Sequence, residues 1–212
     1  MRKPVPVIAL TVLAIIVVGL LYSFNLIPHR RYTNADFGIA DYHSSTDRDG
    51  DGVDDQTDIL ESALAYLATN PQYQSKYYAT GYPDDGYGVC TDVVAQALKG
   101  AGYDLMALVD ADIRAHPEAY DVDIPDANID FRRIKNLQVY FSRHAQRLSP
   151  NLNDTYEWQG GDIVIFPDHI GIVSNYRNRD GVPFLLHHYS PFQSTYEEDA
   201  LGRYQIIGHY RI

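Results

Sequence analysis

Cys90 is the only cysteine in 212 residues. It stands where the turn-rich stretch Tyr82-Pro83-Asp84-Asp85-Gly86-Tyr87-Gly88 gives way to a helical pattern carried by Val93, Val94, Ala97, Leu98 and Ala101. A cysteine in a first helical turn meets unpaired backbone N–H groups and the positive end of the helix dipole, which predicts a lowered thiol pKa and a reactive nucleophile. A lone cysteine also serves as a small buried apolar side chain, and Val89 and Val93 suit that role. The candidate base is His169, at the head of His169-Ile170-Gly171-Ile172-Val173-Ser174. On a strand His169, Gly171 and Val173 share one face, and on the next strand Leu185 and His187 do, so a hairpin sets His169 beside His187. A one-residue register shift would exchange His187 for His188.

These residue types predict acyl chemistry. His169 takes the Cys90 proton to give a thiolate and imidazolium pair, and His187 orients His169 through its remote ring nitrogen. N–H groups at the helix start, that of Cys90 included, are candidate oxyanion donors. Asp92 either orients a substrate amine or interacts with the first helical turn.

A second constellation is Asp47-Arg48-Asp49-Gly50-Asp51-Gly52-Val53-Asp54-Asp55-Gln56-Thr57-Asp58. Counted from Asp47, it puts Asp49, Asp51, Val53, Asp55 and Asp58 at positions three, five, seven, nine and twelve, with Gly52 at the sharp turn. Calcium takes six to eight hard oxygen ligands, and alternating acidic side chains on a tight loop supply them. The terminal Asp in place of Glu resembles the single calcium loops of dockerin-type modules. The reading is a structural calcium bound by Asp47, Asp49, Asp51, Val53, Asp55 and Asp58. The alternative is a solvated acidic turn in which Asp54 or Asp55 caps the next helix.

The positioning elements follow from periodicity. Ile59, Leu60, Ala63, Leu64 and Leu67 predict a helix that stops at Asn70-Pro71. Beyond the Cys90 helix, Leu105, Leu108, Val109 and Ile113 predict another, ending near His116-Pro117, and Leu137, Val139, Tyr140, Phe141 and Leu148 a third. His116 and His144 are read as packing or surface residues, His209 as packing or a cleft wall, and Trp158 and the tyrosines near Cys90 as groove walls or packing. The last third turns to strands: 162–166, 169–174, 183–189 and 204–211, with a hairpin turn at Arg177-Asn178-Arg179-Asp180-Gly181. Helices first and an antiparallel meander after them predict an α+β domain.

Upstream, Val5 to Leu21 carries no charge and the apolar character continues to Ile27, which predicts an N-terminal membrane anchor or signal over residues 1–31, read as an uncleaved anchor. Arg2 and Lys3 oppose Arg30 and Arg31, so charge orients that helix only weakly. Residues 32–46 read as a linker, 47–58 as the calcium loop and 59–212 as the catalytic domain, on the external side of a bacterial cell membrane. A formal net charge of −11 argues against nucleic acid as a partner.

The order of motifs resembles the papain-like superfamily of bacterial cell-wall cysteine peptidases and amidases: a cysteine at a helix start, a Gly-Asp strand, His-Ile-Gly-Ile-Val, then a polar residue on the next strand. More closely, Gly88-Val89-Cys90-Thr91-Asp92-Val93, the run from Asp126 to Leu137, Gly161-Asp162-Ile163-Val164, His169 to Ser174 and Gly208-His209-Tyr210-Arg211 are similar to the bacterial family known as domain of unknown function 1287. The resemblance implies a papain-like fold and hydrolysis of peptide or amide bonds in peptidoglycan. Two other expectations stay open: a cysteine acyltransferase on the same fold, and an inactive calcium-dependent surface-binding module.

Overall fold

The computed structural model describes residues 5–193 and 195–212. Helix α1 (Val5–Ser23) is uniformly apolar, but no helix among the described residues is long and apolar enough to cross a membrane. The expected single-pass anchor is therefore corrected, and the external membrane location built on it goes with it. The helical run ends at Ser23, short of the apolar stretch to Ile27 on which the expectation was counted. Asn25, at φ 53, turns the chain after Ser23, and Tyr22 stacks on His29 with ring centroids 3.8 Å apart. Arg2 and Lys3 lie outside the described residues.

The expected linker, residues 32–46, is packed rather than free. Tyr32 bridges Arg177, and Asn34 is buried with its amide bonded to Asp41, Gln159 and the Arg177 guanidinium. Arg177 donates as well to the carbonyls of Thr155, Gly181 and Trp158. A buried guanidinium needs such a ring of acceptors, and this one ties the segment to the sheet.

Helix α2 (Asp55–Ala68) starts because Asp54, extended at ψ 148, accepts the Thr57 N–H, and it stops where Asn70 turns left-handed before Pro71. Strands β1 (Gln72–Tyr73) and β2 (Tyr87–Gly88) pair parallel and lead into α3 (Cys90–Gly100). Gly102, at φ 77, ends that helix, Asp104 caps α4 (Leu105–Ala115), and α5 (Ala127–Asp130) and α6 (Ile134–His144) follow. The third expected helix thus stops short of Leu148, which bonds through its amide to the His209 carbonyl.

The sheet strands are β3 (Gln146–Arg147), β4 (Ile163–Phe166), β5 (His169–Arg177), β6 (Pro183–Leu186), β7 (Glu197–Glu198) and β8 (Gly208–Arg211), in the order β3-β8-β4-β5-β6-β7 with antiparallel neighbours. Period-two alternation sorts its faces. Ile163, Ile165, Ile170, Ile172 and Leu186 pack under the helices, while Val164, Phe166, Val173 and Leu185 pack with Trp158 and Leu201 on the far face. The fold is therefore α+β, helices against an antiparallel sheet.

Candidate active site

Helix α3 begins at Cys90 because Val89 is extended and the Asp92 carboxylate closes back on the Val89 N–H at 2.8 Å. Asp92 is not a substrate ligand. It is fully buried, and its oxygens accept from Arg132 Nε and a terminal Arg132 nitrogen at 2.7 and 2.8 Å. Arg132 completes its set on the Lys76 carbonyl at 2.6 Å. The substrate-binding expectation fails because every accessible direction around this carboxylate is filled by protein.

Cys90 is half-buried and lines a cleft of about 360 Å³ with Tyr73, Asp168, His169, His188 and Tyr189. Burial pushes its thiol up to about 11, outweighing the N–H groups of Ile170 and Thr91 that act on the sulfur, and the Asp92 charge adds to the rise. The lowered thiol pKa expected from the helix start is thus reversed. A helix terminus contributes partial charges, whereas desolvation acts on the whole thiolate.

His169, buried at the head of β5, bonds through Nε2 to His187 Nδ1 at 2.8 Å. Burial, with His187 beside it, holds His169 down to about 3. With Cys90 held high and His169 low, the resting pair is a neutral thiol and a neutral imidazole, not the expected thiolate and imidazolium. The two imidazoles meet because β5 and β6 pair Val173 with Leu185, which continues to bring the odd-numbered residues 169, 171 and 187 to one face. Gly171 permits that approach: a Cβ there would stand 2.8 Å from Leu185 Cδ1 and 2.9 Å from the Leu186 carbonyl oxygen.

His188 points the other way, toward the helices, and sits edge-on to Tyr73 and Tyr196. It lines the Cys90 cleft, its Nδ1 has no partner among the described residues, and burial holds it down to about 4. The sequence alone missed Glu198. On β7, opposite Leu185, it brings a buried carboxylate oxygen to 3.5 Å from His187 Nε2, a nitrogen with no hydrogen bond of its own among the described residues. The only sequence signal for it was parity: Glu198 shares the face of His169 and His187 once β7 is placed.

Three further histidines, His209, His144 and His116, do not line the cleft. His209 stacks on fully buried Trp158 at 3.7 Å and bonds to Asp162 at 2.9 Å, so neither ring walls the groove. Asp162, which also receives Gln56, Arg211 and the Gln159 N–H, is the hub that holds the Gly-Asp strand in place. His144 pairs with Asp112, and His116 lies at the surface near Glu118.

In the acidic loop, carboxylate oxygens of Asp47, Asp49 and Asp51 lie within 4.8 Å of one another. Asp55 departs from the expected ligand set: it is buried, and its two oxygens accept from the Arg48 N–H at 2.7 Å and the Tyr103 hydroxyl at 2.5 Å. Asp58 is buried at the start of α2, with Oδ2 lacking a partner among the described residues.

Comparison with known proteins supplies a family. The chain is similar to the uncharacterized protein YijF of Escherichia coli (strain K12), 36% identical over 161 residues that span 72% of this chain and 76% of that protein. No solved structure matches this chain. A family model described as Domain of unknown function (DUF1287) matches residues 60–212, which hold Cys90, His169, His187 and Glu198. The chain belongs to this family.

Proposed function

We propose that the chain is a cysteine hydrolase of peptide or amide bonds, built on a papain-like arrangement, with the stem peptides of peptidoglycan as its substrate class. The observation that carries the reading is the joining of Cys90 and His169 in one cleft, with His169 bonded to His187 at 2.8 Å. The substrate class rests on the motif order shared with the cell-wall enzymes.

The proton positions follow from the acceptors. The Glu198 carboxylate, 3.5 Å from His187 Nε2 and outside hydrogen-bond geometry, favours by its charge the tautomer that turns an N–H toward it. His187 Nδ1 then accepts from His169 Nε2–H, which leaves the lone pair of His169 on Nδ1 as the base. As the Cys90 sulfur bonds to the substrate carbonyl carbon, its proton passes to His169 Nδ1. The oxyanion that forms is met by N–H groups at the start of α3. The C–N bond breaks with the His169 proton going to the leaving amine, and water, deprotonated by His169, releases the acid from the thioester. His187 and Glu198 are positioning residues in this scheme, since they hold the imidazole in one tautomer without touching the reacting atoms. Tyr189 divides the Cys90 cleft from a second one lined by Phe24, His187 and Glu198, so an extended polymer has room on either side.

The test is digestion of purified peptidoglycan by the full chain beside a Cys90→Ala variant, with released fragments read by mass spectrometry and an amine acceptor added in a parallel arm. Fragments released by the parent and not by the variant support the hydrolase and name the bond. Transfer to the amine without free acid would replace hydrolysis by acyl transfer. An untouched wall in both arms refutes peptidoglycan as the substrate.

A further inference from the structure

We propose that residues 47–58 form a calcium site whose direct ligands are the carboxylates of Asp47, Asp49, Asp51 and Asp58 with the Val53 carbonyl, Asp55 being a support rather than a ligand. The site lies outside the residues matched by the family, so it adds to the hydrolase reading and does not depend on it.

The exposed trio alone would carry nothing, because acidic turns are common on surfaces. Asp58 changes that. It is 8% exposed, its Oδ2 has no partner among the described residues, and the charges acting on it are those of Asp51, Asp49, Asp47 and Asp55. A covered carboxylate oxygen with no donor supplied, lying in the field of four other carboxylates, is a ligand position for a hard cation. Position nine is closed by burial and by the Tyr103 hydroxyl and Arg48 N–H on Asp55, whereas the oxygens of exposed Asp47 accept, among the described residues, only from loop N–H groups, those of Gly50 and Gly52. Calcium loops often interpose a water at position nine.

The same contacts say what the ion would do. Arg48 Nε donates to the Gly102 carbonyl at 3.1 Å, its guanidinium lies 4.4 Å over the Tyr103 ring, and a Cβ on Gly102 would stand 3.1 Å from Asp49 Cβ. The loop is therefore keyed into the turn that ends α3, the helix that begins at Cys90. An ion at Asp58 joins that turn to the start of α2, so calcium braces the helix pair beneath the nucleophile. Calcium is favoured over magnesium because a flexible loop offering oxygen ligands does not impose the compact octahedron magnesium demands.

The experiment uses the full chain stripped with a chelator, titrated with calcium chloride by calorimetry and melted with and without the ion, against magnesium at matched ionic strength. The expected result is one site with a dissociation constant on the order of 1 mM or tighter, and a Tm rise of about 5–10 °C at a hundredfold excess over it. Asp58→Asn abolishes the calcium response while melting no lower than the stripped parent, since it removes a repelled charge. Asp55→Asn lowers Tm with and without calcium but retains the response. No heat or Tm shift up to about 10 mM calcium, an equal shift with magnesium, or a response that survives in Asp58→Asn overturns the proposal.

Discussion

Asp92→Asn separates a structural carboxylate from a substrate ligand. In the parent this fully buried group receives Arg132 at 2.7 and 2.8 Å and the Val89 N–H at 2.8 Å. The Arg132 side chain is 2% exposed. Burial raises the Asp92 carboxyl even with Arg132 beside it, so the pair is held at a cost in desolvation. The amide keeps the shape but strands a buried guanidinium on one carbonyl, that of Lys76. Breaking a buried pair in this way costs about 3–5 kcal/mol, which for a chain of this size lowers Tm by roughly 6–20 °C. The assay is urea unfolding at pH 7 with a calorimetric melt. Removing both charges in Asp92→Leu with Arg132→Met restores part of the loss, so the double variant is destabilised by several kcal/mol less than the sum of the singles. A loss below about 1 kcal/mol in Asp92→Asn, or additive single variants, refutes the buried-pair reasoning. Normal stability with a raised KM would return Asp92 to the substrate.

Alkylation of Cys90 by iodoacetamide should keep accelerating above pH 9, because burial holds the thiol near 11; a plateau between pH 5 and 8 would reveal a preformed thiolate and contradict the neutral pair. Glu198→Leu should lower kcat by about 10- to 100-fold at unchanged KM, with partial rescue in Glu198→Gln, whose amide dipole can still face His187 Nε2; a change confined to KM would refute the positioning role. His187→Ala should cost more in kcat than His188→Ala, and the reverse order would move the third position to His188. Asp112 contributes to acid stability: although burial raises its carboxyl, bonds from Arg143, Tyr120 and His144 carry it down to about 2. A depressed folded value means stability of about 2 kcal/mol that is full above the unfolded value of 3.8 and is lost as pH falls through 2. Asp112→Asn should therefore flatten unfolding free energy against pH between 4 and 2, and an unchanged slope in that range would refute the assignment.

Local pattern made much of the site legible. The helical spacing after Gly88 located Cys90 at a helix start, and period-two alternation set His169 beside His187 through a pairing register that carries Val173 onto Leu185. What stayed hidden depends on distant partners. Nothing near Asp92 announces Arg132, 40 residues on, and nothing in residues 32–46 announces that Asn34 meets Arg177, 143 residues away. The thiol shift was misread because helix position is written in the sequence whereas burial is not. Strand ends were also overrun: β6 stops at Leu186, where the His187 N–H turns to the Tyr196 carbonyl, and the last strand is confined to Gly208–Arg211 behind the short turn at Leu201–Arg203. Apolar continuity from Val5 to Ile27 suggested a longer helix than forms, because Asn25 breaks it.

The most direct measurement of the central claim is intact-mass spectrometry of the full chain after brief incubation with a synthetic stem peptide and acid quench. The account predicts an adduct equal in mass to the acyl portion of the peptide, mapped by digestion to Cys90 and absent from Cys90→Ala. Equal turnover by Cys90→Ala, or an acyl adduct on another residue, would contradict it.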